Sequence, residues 1–480
     1  MRRFLAAAAG LAASIAASTV HAQTVYPIDR ADILVGARFD FKVEFPGLAD
    51  PSKVTVTLNG EDHAKVFGKA AAFIEREEGK DQSALLLRDV SLAQPGGYRV
   101  RVTDGTNSRE LSWNVYDTGA RKAKNVILFI GDGMSPAHRI AARLLTKGIA
   151  EGKAFGKLAI DDMPQMALVA TASSDSIVTD SANSASAYAT GHKSAVNAMG
   201  VYADRTADPF DDPRVENITS LVQRRLKLAV GVVTNTEIED ATPAAMVAHI
   251  RRRVEYDRIV EHLFAAKPDV IMGGGLANFL PKSAEGSKRK DETDFVARFR
   301  EAGYPVAMTG AEMTAIADQP TTNRLLGLFT LGNMDGVLDR KFLKGGTVKK
   351  FPEQPDLTEQ VGAALKILSR SDNGFFLMVE SGLIDKYSHV LDFERAVYDT
   401  IMLDNAVRLA RDWARGRGDD TLIMVVADHN HPIGLVGTID DDMSSTPNAP
   451  MRERVRVYGQ AGVPNYPAPD AEGYPPRVDV

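Results

Sequence analysis

The sequence predicts an α/β protein: a central, mostly parallel sheet flanked by helices, preceded by an antiparallel β-sandwich domain. Three observations carry this. From Lys124 onward, continuous apolar runs alternate with helical patterns, as buried parallel strands and their crossover helices do. Before about residue 118, short segments instead alternate apolar and polar residues with a period of two and are separated by turn residues. Each of the apolar runs then leads into a segment rich in carboxylates, where α/β sheets place their sites.

The expected order is a signal segment over residues 1–22, a sandwich domain over 23–118 and a catalytic α/β domain over 119–480. Arg2 and Arg3 open the chain, Phe4 to Ala17 is apolar, and Val20-His21-Ala22 places small residues at the −3 and −1 positions of a cleavage site. That pattern predicts export to a periplasm or out of the cell. No later stretch reaches the ~20 apolar residues of a membrane span. In the sandwich, Phe39 to Phe45, Val54 to Leu58, Tyr98 to Val102 and Leu111 to Val115 read as strands. Asn59-Gly60, Pro95-Gly96-Gly97 and Asp104-Gly105 mark turns.

In the second domain Asn125–Ile130, Leu228–Val233, Phe375–Val379 and Leu422–Val426 read as buried parallel strands. Phe393, Ala396, Val397 and Ile401 share one face of a helix. Pro281 to Phe351 is polar and mixed and reads as an insertion over the site.

The chain has 480 residues, 44% hydrophobic and 25% charged, with a net charge of −6. No basic run stands out, which argues against a nucleic-acid partner. There is no cysteine, so disulfides, thiolate metal sites and a cysteine nucleophile are excluded.

The chemistry lies after the strands. Asp132 follows the first, Asp240 and Thr242 the second, Glu380, Asp385 and His389 the third, Asp428, His429 and His431 the fourth. Carboxylates converging at one sheet edge repel one another unless cations lie between them. Histidine with aspartate and no cysteine suits catalytic zinc, and an all-oxygen set suits magnesium. Asp385 and His389 stand four apart, on one face of a helical turn. In Thr179 to Gly191, small residues let a helix start directly after Asp180-Ser181-Ala182, so the Ser181 hydroxyl meets the anion-binding end of a helix. His138, His192 and His262 read as structural.

These pieces resemble the alkaline phosphatase family, bacterial type: Asn125 to Met134, Asp180 to Gly191, Asp240 to His249 with Arg253, Gly273-Gly274-Gly275, Glu380 to His389, and Asp428 to His431. The resemblance implies an alkaline phosphatase-like fold and a phosphomonoesterase acting on small phosphate monoesters. It implies Ser181 as nucleophile, a zinc on Asp132, Asp428 and His429, and a second zinc on Asp385 and His389. Magnesium would sit on Asp132, Thr242 and Glu380, with Asp240 acting through water. Arg253 would grip the phosphate and His431 would support the metal shell. Four residues beyond His249, Arg253 is expected on the same helix face. For assembly, a homodimer is the expectation.

One departure stands out. The family takes a third histidine for the second zinc from its C-terminal part, and here His431 is the last histidine. The expectation is a natural product that continues past Val480 and supplies it; the rival is a carboxylate from Asp440-Asp441-Asp442. A phosphodiesterase of the superfamily, which more often carries a threonine nucleophile, and a binding protein without turnover stay open. A sulfatase motif does not fit Ser181-Ala182-Asn183.

Overall fold

The structure, a computed structural model, describes residues 23–150, 153–418, 420–433 and 470–474. The expected signal over residues 1–22, the acidic run 440–442 and most of the tail lie outside the described residues. The chain divides into two compact units. One gathers the residues up to Thr118 with the segment Asp204–Arg214; the other comprises Gly119–Ala203 and the chain from Val215 onward.

The first unit contains two sheets. One pairs Thr24–Tyr26, Phe39–Glu44, Ala84–Val90 and Ala72–Ile74 antiparallel. The other orders Ala31–Leu34, Ser108–Tyr116, Gly96–Thr103, Thr55–Leu58 and Glu61–Asp62. Trp113 from the second meets Phe39 and Phe41 from the first edge-on, each at 5.9 Å between centroids, so the inner faces of the two sheets share an aromatic core. One pairing departs from the expected antiparallel pattern. Ala31–Leu34 runs parallel to Ser108–Tyr116, which the long intervening chain permits.

The polar positions of the Phe39–Glu44 strand are Asp40, Lys42 and Glu44. All three are buried. The charged face is covered by Asp204–Arg214, which returns from the far part of the chain. Lys42 Nζ lies 2.5 Å from Asp204 Oδ2 and 2.6 Å from Glu77 Oε1. Arg205 Nε donates to Glu77 Oε2 at 2.7 Å. Burial disfavours the Lys42 charge, but Asp204 and Glu77 more than offset it and hold its pKa above the ordinary lysine value. Charges removed from water need such partners.

Among the described residues of the second unit the main sheet has seven strands, paired in parallel throughout. Their order is Val306–Ala307, Leu325–Leu328, Val270–Gly274, Ala229–Glu237, Phe375–Ser381, Asn125–Gly131, Thr421–Val426. Phe375–Ser381 is buried at every position, as its unbroken apolar run predicts. Thr421–Val426 is not: among the described residues it is the last strand on its side, with Leu422 and Met424 exposed. The stretch from Pro281 to Phe351 is no insertion over the site. It contributes two sheet strands and the Phe295–Glu301 and Gly310–Asp318 helices, with Phe295, Phe299, Leu325 and Phe329 in the core. The Leu357–Leu368 and Phe393–Arg415 helices bury their apolar faces in that same core. From the tail, Tyr474 stacks on Tyr398 at 5.9 Å. Among the described residues no helix is long and apolar enough to cross a membrane.

Candidate active site

The four strands that carry the predicted ligands are neighbours in the sheet, and their registers bring the strand ends together. Ile130 pairs with both Glu380 and Val426, and Thr234 pairs with Glu380. Asp132, Asp240, Glu380 and Asp428 therefore project from adjacent strand ends. Gly133 lies at a φ of +64°, and a Cβ there would approach His431 Cδ2 at 2.6 Å and Asp385 Oδ1 at 3.0 Å. Only glycine lets the first loop pass so close to the other ligands.

The Ser181–Thr190 helix starts where the sequence predicts. Asp180 is its N-cap and accepts from Asn183 N at 3.1 Å. Ser181 Oγ, buried, lies 3.3 Å from Asp132 Oδ1 and 3.2 Å from His429 Nε2. His429 Nε2 lies 3.4 Å from Asp132 Oδ1 and 3.6 Å from Asp428 Oδ2. Donors on one tetrahedral zinc, each about 2.0 Å from it, stand about 3.3 Å apart. His429 stands near that spacing from Asp132, Asp428 and Ser181, as does Ser181 from Asp132. Asp428 Oδ1 accepts from Gly133 N at 3.0 Å and His429 N at 2.9 Å, while its Oδ2 is buried without a hydrogen bond among the described residues. Such an orphan oxygen is what a cation would satisfy.

Asp385 and His389 sit on the Leu383–His389 helix as predicted, with His389 Nε2 at 3.4 Å from Asp385 Oδ2. That again is the separation of two ligands on one ion. His431 Nε2 is closer, 2.6 Å from Asp385 Oδ1. This is a hydrogen-bond distance, and Asp385, His429 and His431 also form a cluster that could hold a metal ion.

Thr242 and Glu380 meet behind Asp132. Thr234 Oγ1 donates to Glu380 Oε2, as does Thr236 Oγ1 at 3.1 Å. Thr242 Oγ1 is buried and turned toward the Glu380 carboxyl, an all-oxygen setting that suits magnesium. Burial pushes Glu380 up to about 7, against the Thr234 hydrogen bond. Burial also raises Asp132, and the charges of Asp428, Asp385 and Glu380 raise it further. These carboxyls are poor anions by themselves and fit a cluster completed by cations.

Arg253 does not share a helix with His249, as its spacing suggests, because the helix that begins at Ala241 ends at Ala245. A turn carries it back to the site. There Nη2 lies 2.9 Å from Asp240 Oδ1 and Nη1 3.3 Å from Asp180 Oδ2. Lys386 Nζ holds the other Asp240 oxygen at 2.6 Å. Burial would raise Asp240, but Lys386 and Arg253 outweigh it and keep the carboxyl well below the usual range. The result is a guanidinium fixed between Asp240 and Asp180, the residue before Ser181.

Two residues of this region escape sequence reasoning. Tyr188 donates to Ala427 O at 2.7 Å and ties the Ser181 helix to the Asp428 loop. Its position two turns beyond Ser181, on the same helix face, is the signal that could have found it. Asn235, at the end of its strand, donates to Asp399 and accepts from Gly382 N; nothing in its local sequence marks it. His138 and His192 are buried and hydrogen-bonded, and His262 accepts from His249 N at 3.2 Å, as structural histidines do.

With the geometry in place, the comparisons are direct. A model of the alkaline phosphatase family matches residues 123–456. Alkaline phosphatase from Escherichia coli K12 is 32% identical over 382 residues, covering 72% of this chain and 77% of the relative. The tissue-nonspecific isozyme from Gallus gallus is 32% identical, covering 64% of each chain. Among solved structures, alkaline phosphatase from Thermus thermophilus superposes with a TM-score of 0.57 at 28% identity, covering 71% of this chain and 69% of that one. A mutant of the enzyme from the Antarctic bacterium TAB5, with Mg bound in its M3 site, gives 0.53 at 27%, covering 65% and 79%.

Fold, site and relatives define one class, the metal-dependent phosphomonoesterases of this superfamily, which act on small phosphate esters. The chain belongs to the alkaline phosphatase family.

Proposed function

We propose that the chain hydrolyses phosphate monoesters through a covalent phosphoserine at Ser181. The observation that carries this is the position of Ser181 Oγ, at ligand-to-ligand spacing from both Asp132 and His429. Asp132, Asp428 and His429 would hold one zinc, Asp385 and His389 the second. Asp132, Thr242 and Glu380 would hold magnesium, with Asp240 reaching it through water. Bound there, the cations supply Lewis acidity that makes an alkoxide accessible at neutral pH and neutralise the developing charge.

The protein's own groups do the rest. Ser181 Oγ attacks phosphorus, forming the serine–phosphate bond as the ester P–O bond breaks, and the departing alkoxide leaves as the alcohol after taking up a proton. Water then cleaves the serine–phosphate bond and releases phosphate. Arg253 pairs with two equatorial phosphoryl oxygens, with Asp180 and Asp240 fixing its fork. Lys386 holds Asp240 from the other side and offsets its charge. His431 orients Asp385. We place the enzyme outside the cytoplasm on the export pattern of residues 1–22, with the catalytic domain following residue 118.

The test is Ser181→Ala with p-nitrophenyl phosphate. The burst of nitrophenol and the labelling of protein by radioactive phosphate should both vanish. Normal labelling would refute the assignment. Faster turnover of bis(p-nitrophenyl) phosphate than of the monoester by the native chain would replace the monoesterase with a diesterase.

A further inference from the structure

The Leu383–His389 helix carries both Asp385 and His389, yet it is short and has no capping side chain of its own. A helix of that length does not hold itself in water. Two side chains from other elements fix its ends. At the start, Asn235 Oδ1 accepts from Gly382 N at 2.8 Å and Leu383 N at 3.3 Å, and Asn235 Nδ2 donates to Asp399 Oδ1 at 3.2 Å. At the far end stands His138, fully buried on the Pro136–Lys147 helix that follows the Asp132 loop. Ser135 N donates to His138 Nδ1 at 3.1 Å, so the ring proton is on Nε2. Nε2 donates to Ser388 Oγ at 3.0 Å, and Ser388 Oγ donates to Ile384 O at 2.7 Å. Ser388 immediately precedes His389.

From this geometry we infer that His138 is a positioning residue for the second metal site: through Ser388 it locks the helix bearing Asp385 and His389 to the loop bearing Asp132, and so sets the spacing between the two halves of the centre. The ring is suited to a fixed role. Burial, with a smaller contribution from His431, lowers its pKa to about 4, so the neutral tautomer persists at any working pH of a phosphatase. The inference rests on the reading of Asp385 and His389 as metal ligands.

The experiment measures zinc binding to the full chain by competition with a chromophoric chelator. The variants are His138→Phe, His138→Gln, Ser388→Ala and the His138→Phe/Ser388→Ala pair. Asp385→Asn serves as the reference for the second site and Asp428→Asn for the first. Loss of a partner to a ligand-bearing element typically weakens metal binding about 10- to 100-fold. His138→Phe and Ser388→Ala should each weaken the zinc that Asp385→Asn removes and leave the zinc that Asp428→Asn removes unchanged. The pair should be no worse than either single change, since all three cut one link. His138→Gln, whose amide can still donate to Ser388, should recover most of the affinity. Ser388→Ala guards against misfolding, because it removes one hydroxyl and no packing volume of note. Equal weakening of both zincs, additive losses in the pair, or no rescue by His138→Gln would overturn the positioning role. If Asp385→Asn removes no zinc, the site reading itself fails and the inference falls with it; if Asp385→Asn removes one and His138→Phe changes nothing, only the inference falls.

Discussion

Stripping the metals should make this fold less stable as pH rises, an inversion of what paired surface carboxylates produce. The reason is Glu380, buried between Thr234 and Thr242 at the strand end, where burial lifts it from 4.5 to about 7. A carboxyl whose folded pKa lies above its unfolded one binds its proton more tightly when folded. Its contribution is therefore complete below about pH 4.5 and is lost as pH climbs through about 7. At about 1.4 kcal/mol for each tenfold change in proton affinity, the loss amounts to about 3 kcal/mol. Asp132, raised by burial and by Asp428, Asp385 and Glu380, adds in the same direction. Cations replace these protons, so the metal-loaded protein escapes the loss. The assay is urea unfolding of chelator-treated and metal-loaded protein at about pH 5 and about pH 8. The gap between the two forms should widen by about 3 kcal/mol at the higher pH, and Glu380→Gln should flatten the metal-free profile. A metal-free protein that is as stable or more stable at the higher pH would refute the argument.

Three further outcomes follow from the site. Arg253→Ala should weaken inhibition by inorganic phosphate by roughly 30- to 150-fold, the worth of a charge-assisted pair of about 2–3 kcal/mol; an unchanged inhibition constant would reassign the role to Arg251 or Arg252. His431→Ala, by releasing Asp385 Oδ1, should weaken one bound zinc about 10- to 100-fold in chelator competition without removing the other. Thr242→Val removes a buried oxygen that faces Glu380, so magnesium affinity measured by equilibrium dialysis should fall; an unchanged affinity would take Thr242 out of the site.

How much of this was legible in the chain depends on the range of the interaction. The parallel strands announced themselves because burial on both faces demands unbroken apolar runs, as in Phe375–Ser381. The start of the Ser181 helix and the Asp385–His389 pair were equally plain, since an N-cap and an i, i+4 spacing are local chemistry. The family resemblance supplied the roles of Asp132, Thr242, Glu380 and Arg253, which no local pattern assigns.

Tertiary structure decided what depends on partners distant in the chain. Thr421–Val426 looked like a buried strand but is, among the described residues, the outermost on its side of the sheet, because strand order is not written in any one strand. Asp40, Lys42 and Glu44 are buried because Asp204–Arg214, distant in the chain, returns to cover them. Pro281–Phe351 looked like a cover over the site but builds one side of the sheet. Arg253 reaches the site by a turn where its spacing suggested a helix. Above all, His138 carries no sign in its sequence neighbourhood that its ring will meet Ser388 across the fold. A side chain's local preferences are set by the residues within a few positions of it, whereas a hydrogen bond between elements exists only once the sheet has brought them together. The ligand types could thus be read from the sequence, and the distances between them only from the fold.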